Sequence, residues 1–478
     1  MKKINYKTLV SLMLISILVA SCKLPELKKR EVRQDIPTSF NTNGDTTNSA
    51  RLNWKLYFND PYLAALIDTA LSNNQEFNIL IQEISRENNE IDAKKGEYLP
   101  FINLGIGAGA EKVGRYTSQG ASEATTEIEP GKEMPDPVPD FTIGATASWE
   151  IDIWHKMRNS RKAQVMKYLS SIEGKNFMQT QLVSEIASAY YELLALDKQK
   201  QFILQNIELQ NNALEVVKLQ KKSAKVTELA VKRFEAQVLK TRSLLYDIDQ
   251  DIIKTENEIN FLLGRYPRKI SRDFNAFDNL VPNQVYTGIP SQMLENRPDI
   301  KQAELNLVAA KLNVKVAKAN FYPSLSLNAG IGLQAFDPSY LLTSSPESML
   351  YSLVGDLSAP LINRKAIKAN YKNANAKQIQ AVYDYEKTVL KAYLEVVTEM
   401  SNINNLEKSY RLREAQVQTL TASINISNDL FKSARADYME VLLTQRDALE
   451  SKFELIETKK NQLIASVMIY KFLGGGWQ

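Results

Sequence analysis

Glu97-Tyr98-Leu99-Pro100-Phe101-Ile102-Asn103-Leu104 and Asn320-Phe321-Tyr322-Pro323-Ser324-Leu325-Ser326-Leu327 carry the same punctuation. In each, a helical stretch ends in aromatic residues, proline breaks it, and apolar residues then recur at every second position. The two copies lie about 223 residues apart in a chain of 478, nearly half its length. Around both the order is the same: a helical stretch, the aromatic-proline break, two alternating strands, a very long helix, a short break and a further helix. A self-similarity of that span predicts a duplicated unit. We place the first repeat at 61–264, a linker at 265–297, the second repeat at 298–473 and a tail at 474–478.

The strands alternate with period two. Phe141, Ile143, Ala145, Ala147 and Trp149 alternate with Thr142, Gly144, Thr146, Ser148 and Glu150, and Leu325, Leu327, Ala329, Ile331 and Leu333 do so with Ser324, Ser326, Asn328, Gly330 and Gly332. Leu104, Ile106, Ala108 and Ala110, and then Tyr351, Leu353, Gly355 and Leu357, complete four runs. Each is about ten residues, the length that crosses a bilayer as a tilted strand, although a soluble hairpin with one buried face has the same period. The loops, Lys112 to Asp140 and Phe336 to Met349, are long and polar, as on the outer side of a membrane barrel. On that reading Phe141, Trp149, Leu325, Leu327 and Tyr351 face lipid or its interface. Trp149, Pro100 and Pro323 then mark the membrane boundary.

The rest is helical. Gly is 18 and Pro 16 of the residues, low usage that leaves room for long helices. About 158–222 holds no Pro and one Gly, and about 365–432 holds neither; each would extend to roughly 100 Å. Apolar residues three or four apart, Leu182, Ile186, Ala189, Leu193 and Leu196, then Val382, Tyr385, Val389, Ala392 and Val396, give each a coiled-coil-like stripe. Shorter helices are expected at about 61–97, 228–263, 298–320 and 437–473. Four strands cannot close a barrel, since about eight is the smallest known and lipid tolerates no open edge. The chain must oligomerise if the strands enter a membrane, to eight strands as a dimer or twelve as a trimer.

Composition removes other classes. Lys+Arg 59 against Asp+Glu 55 leaves too little charge for a nucleic-acid binder working by bulk potential. A single Cys and a single His, His155, exclude a disulfide framework, a zinc ribbon and HExxH chemistry. No phosphate-binding loop is present, so no catalytic residue, metal or cofactor is assigned and the chain is not read as an enzyme. A rod-like structural lipoprotein would share the long helices but has no need of duplicated membrane-length hairpins. At the N-terminus, Lys2, Lys3 and Lys7 precede an apolar run, Leu9 to Ala20, too short to span. It ends Leu18-Val19-Ala20-Ser21-Cys22, which resembles a lipoprotein signal box: 1–21 is removed and Cys22, heading segment 22–60, is acylated. The mature charge falls to +1 without the leader's three Lys, so a lipid chain and not charge would tether it.

Trp149-Glu150-Ile151-Asp152-Ile153-Trp154 with Arg158, Asn296-Arg297-Pro298-Asp299-Ile300, Tyr322-Pro323-Ser324-Leu325 and the ending Tyr470-Lys471-Phe472-Leu473-Gly474-Gly475-Gly476-Trp477 resemble the TolC family of outer membrane factors, above all its lipoprotein branch serving resistance-nodulation-division efflux pumps. The resemblance implies a homotrimer with a shared twelve-stranded barrel, a periplasmic α-barrel and an equatorial linker at 265–297. It implies a periplasmic adaptor and an inner-membrane transporter as partners, outer-membrane lipid around the barrel, and passive conduction of substrate out of the cell. An outer-membrane channel for type I protein secretion is the alternative role. Ile153-Trp154-His155-Lys156 and Pro360-Leu361-Ile362-Asn363-Arg364 depart from the family by lacking glycine after the strand. Two helix breaks, 221–228 and 432–438, fall at the family's periplasmic tip and carry Ser-Ala where glycine is usual. The second resembles the aperture segment, with Arg435, Asp437 and Tyr438 narrowing the closed end, although Asp437 also fits a plain helix cap.

Overall fold

The structure, a computed structural model, describes residues 24–33, 35–40, 47–283, 286–433 and 435–477. The leader and Cys22 lie outside the described residues. Seven principal helices and four long strands follow in order: α1 Pro61–Asn73, α2 Gln75–Gly96, β1 Phe101–Glu111, β2 Val138–Ile151, α3 Lys156–Lys222, α4 Glu228–Leu262, α5 Pro298–Ala319, β3 Ser324–Ala335, β4 Met349–Ser358, α6 Lys365–Lys432 and α7 Tyr438–Phe472. The order of elements after Gly96 repeats after Ala319, as the duplicated aromatic-proline motif predicts. Pro100 immediately precedes β1 and Pro323 immediately precedes β3.

One expectation is corrected. The run from 61 to 97 is two helices, because Asn74 takes an extended conformation between them. Its side chain accepts from Phe77 N at 2.9 Å and donates to Leu262 O at 2.9 Å. Asparagine thus caps α2 and uses the break to hold the end of α4, a local competition with the helix that hydrophobic period does not reveal.

By contact the chain forms two compact units, 1–31, 86–168 and 305–382 in one and 32–85, 169–304 and 383–478 in the other. Each draws on both repeats. The first holds the sheet, an antiparallel meander in the order β1-β2-β3-β4. β1 and β2 form one repeat's hairpin, β3 and β4 the other's, and β2 pairs with β3 across the duplication. At that seam Gly144 opposes Gly332, and a Cβ on Gly332 would stand 2.6 Å from Ile143 O. Only glycine lets the two backbones approach so closely.

The second unit is helical. The predicted stripe Leu182, Ile186, Ala189, Leu193 and Leu196 is buried, and most of it joins α1 (Leu63, Ile67), α4 (Ile259) and α7 (Leu463, Val467) in one core. A second cluster joins Ala392 and Val396 of α6 to Ile469 and Leu473. A third surrounds Phe234 at the start of α4, with Leu214, Val217 and Val441.

Candidate functional site

The register sorts the sheet into two chemically opposed faces. Leu104 pairs with Ala145, Ala145 with Ile331, and Ile331 with Tyr351, so one row across four strands is apolar. Neighbouring rows repeat it: Ile106, Ile143, Leu333 and Met349, then Ile102, Ala147, Ala329 and Leu353. Because side chains alternate along each strand, the other face collects Asn103, Thr142, Thr146, Ser148, Asn328, Ser352 and the carboxylates Glu111, Asp140, Glu150 and Asp356. Its apolar members are Phe101, Val138, Leu350 and Val354. The apolar face is open: Leu104 is 87% exposed, Ile106 84% and Tyr351 83%. A contiguous apolar surface of that kind marks contact with lipid or protein. Among the described residues the outer edges of β1 and β4 have no partner strand.

Aromatic residues fix the strand ends at the helical side. Trp149 donates from Nε1 to Tyr98 O at 2.9 Å, just before Pro100. Trp154 donates to Pro323 O at 2.6 Å and stacks on Tyr322 at 4.7 Å between ring centroids. Each proline break therefore receives one indole N–H. Trp154 is thus a boundary residue beside Trp149 that strand alternation does not mark, its one sequence signal being its place after a strand beside Asp152.

The turns that join strands to long helices explain the missing glycines. His155, directly before α3, sits at φ +57°, and Asn363, two residues before α6, at φ +53°, both left-handed. Asparagine and histidine tolerate that region better than most side chains. Asp152 then caps α3, its carboxylate accepting from Met157 N at 3.0 Å and Arg158 N at 2.9 Å. The lone histidine thus has a backbone role.

The helix breaks of the second unit are built alike. Lys225 N bonds Gln220 O at 2.9 Å and Arg435 N bonds Leu430 O at 2.8 Å, the six-residue closure of a Schellman turn. In the first, Ala224 holds φ +53°, so the turn keeps its left-handed residue on alanine. Asp437 is the N-cap of α7 without a side-chain cap bond, and Thr227 stands likewise before α4. Arg435 and Asp437 are exposed, whereas Tyr438 packs against the cluster around Phe234. Lys221 pairs with Glu228. Among the described residues no ion pair joins Arg435 to Asp437, and none joins Asp437 to Lys221.

The Arg-Pro-Asp-Ile segment is a buried ion-pair node. Arg297, whose side chain is 6% exposed, meets Asp299 at 2.7 Å and Glu395 of α6 at 2.9 Å. Burial acts to lower its pKa, but the two carboxylates overcome that and hold it above the usual guanidinium value. Among the described residues no cluster of His, Cys, Asp and Glu could hold a metal, and no helix is long and apolar enough to cross a membrane.

These features agree with known proteins. The sequence profile of the family described as outer membrane efflux protein matches residues 66–265 and 289–475, one segment in each repeat. The chain is 25% identical over 429 residues to the pyoverdine export outer membrane protein OpmQ of Pseudomonas aeruginosa, covering 89% of this chain and 87% of that one. It is 24% identical over 468 residues to the cation efflux system protein CusC of Escherichia coli, covering 97% and 98%. Among solved structures, the open state of the MtrE outer membrane channel of Neisseria gonorrhoeae superposes with a TM-score of 0.81 at 20% identity, over 95% of this chain and 98% of that one.

Proposed function

The chain belongs to the outer membrane efflux protein family, and on that premise we propose that it is the outer-membrane channel of a tripartite efflux system, passing substrate from an inner-membrane pump of the resistance-nodulation-division type and a periplasmic adaptor to the cell exterior. The observation that carries this reading is the sheet. Most of its apolar residues share one face, its polar residues the other, and among the described residues the outer edges of β1 and β4 have no partner strand. Lipid forbids an open edge, so β4 of one copy pairs with β1 of the next. Three copies give twelve strands, an even number within the range of membrane barrels. At a strand spacing of about 4.8 Å and a tilt of about 40° such a barrel has a backbone radius of roughly 12 Å, wide enough for a lumen lined by the polar face.

The helices continue that conduit into the periplasm, where the breaks at 221–228 and 432–438 form its inner tip and Arg435, Asp437 and Tyr438 its aperture. Cys22 carries the lipid that tethers the mature chain. In the described structure Leu24 and Leu27 pack with Phe321, two residues before Pro323, so the N-terminal segment starts beside the strand boundary. That placement suits an acyl chain in the inner leaflet.

The test is reconstitution of the detergent-extracted protein into planar bilayers, together with its mass in detergent. Trimers that open ion-conducting pores are expected. A monomer that leaves bilayers silent would refute the channel reading.

A further inference from the structure

The linker that begins after α4 carries a surface the channel reading does not use. Residues 264–269 are Gly-Arg-Tyr-Pro-Arg-Lys, with three cations in five positions. Tyr266 is 91% exposed, and Phe261, in the last turn of α4, is 70% exposed. Arg268 and Lys269 are exposed and Arg265 is half-buried. Among the described residues none of the three is ion-paired, whereas Arg272 nearby is held by Asp197 and Glu256.

The loop is stapled in place. Asn260, 1% exposed, donates from Nδ2 to Arg268 O at 2.6 Å and accepts from Arg265 Nε at 2.7 Å, and its carbonyl accepts from Arg265 N at 3.0 Å. Gly264 turns the chain at φ +64°, where a Cβ would stand 2.4 Å from Asn73 O. Ile270, 4% exposed, anchors the far end in the core beside α4. Exposed aromatic rings and cations are thus presented on a backbone that loses little freedom on binding, which favours affinity.

We propose that this loop is a docking surface for the anionic glycopeptide polymer of the cell wall, Tyr266 and Phe261 lying against sugar rings while Arg265, Arg268 and Lys269 pair with peptide carboxylates. The proposal rests on the periplasmic placement argued above. A guanidinium binds a carboxylate through parallel N–H donors, and an aromatic ring supplies a rigid apolar face with little entropy to lose. Protein partners enclose their anchoring aromatics in fitted, desolvated pockets. A ring standing out from a narrow loop between cations, with a second exposed ring in the adjoining helix turn, matches a flat sugar strand studded with carboxylates better than an acidic protein.

Detergent-solubilised full-length protein is mixed with purified, protein-free sacculi and sedimented, and the same preparations are assayed in planar bilayers. The wild type is expected to sediment with the sacculi at low salt and to be released as salt screens the contacts. R268Q/K269Q, which leaves Arg265 and its bond to Asn260 intact, is expected to weaken retention roughly fivefold. Y266A is expected to weaken it with every charge in place, and Y266F to restore it. No sedimentation of the wild type, or retention that ignores both variants, overturns the proposal. Loss in R268Q/K269Q with full retention of Y266A also overturns it, in favour of a general acidic partner. All variants should conduct as the wild type does, so a silent wild-type bilayer would count against the channel and leave the wall-binding result to stand by itself.

Discussion

Arg297 Nη1 donates a 2.9 Å hydrogen bond to the carbonyl oxygen of Phe472, a residue 175 positions further along the chain. The Arg-Pro-Asp-Ile segment and the Leu-Gly-Gly-Gly-Trp ending are therefore two sides of one joint. Trp477 closes it from the other direction, donating from Nε1 to Asn296 O at 3.0 Å. Gly474 makes the close passage, since at φ +92° a Cβ would stand 2.6 Å from Asn296 O.

Removing Arg297 leaves Asp299 and Glu395 facing each other without their shared cation. Replacing one member of a buried ion-pair group costs about 3–5 kcal/mol. Arg297→Ala should lower the thermal midpoint of the solubilised protein markedly, and Arg297→Lys should recover only part of it because an ammonium cannot make the forked contacts. A midpoint within error of wild type for Arg297→Ala would show that the joint is decorative.

The two faces of the sheet should respond oppositely to charge. Leu327 lies on the apolar face and Asn328 on the polar face of β3. An Arg near mid-membrane on the lipid side costs about 2–4 kcal/mol, so Leu327→Arg should deplete assembled trimer in membranes while Asn328→Arg assembles normally. Equal tolerance at both positions would argue for a sheet in water.

The first helix break holds Ala224 at φ +53°. A left-handed alanine costs about 1 kcal/mol that glycine does not, so Ala224→Gly should raise stability by about that amount, read as a shift in denaturant midpoint. A destabilised Ala224→Gly protein would mean that the alanine methyl makes a packing contact worth more than the strain.

At the second break, exposed Asp437 and packed Tyr438 are proposed to narrow the inner tip. Asp437→Ala combined with Tyr438→Ala should raise single-channel conductance and leave trimer assembly intact. An exposed ionic link at the tip is worth roughly 0–1 kcal/mol, so Tyr438→Ala alone should have the larger effect. Unchanged conductance in the assembled double variant would move the aperture elsewhere.

Much of this arrangement is legible in the chain. Pro100 and Pro323 mark the starts of β1 and β3, and Leu182, Ile186 and Leu193 reveal the buried stripe of α3, because proline geometry and side-chain period are local properties. Asn74 was not legible as a break, since an asparagine inside a helical period shows its alternative only when Leu262 O offers it a partner. His155 and Asn363 read as departures from a family pattern, and the backbone shows them to be left-handed turn residues in glycine's place.

By itself the sequence determined the duplication, the two-residue period of four strands and the length of the helices, because each follows from steric preference and the burial of apolar side chains over short spans. Only the tertiary structure decided that β2 and β3 pair across the duplication, so that the two hairpins form one sheet with one apolar face. Only it brought Arg297 to Phe472 and Asn296 to Trp477. Period fixes which side chains share a face of a strand, but pairing between distant segments depends on loop closure and on contacts such as the Gly144–Gly332 approach, which no local pattern encodes.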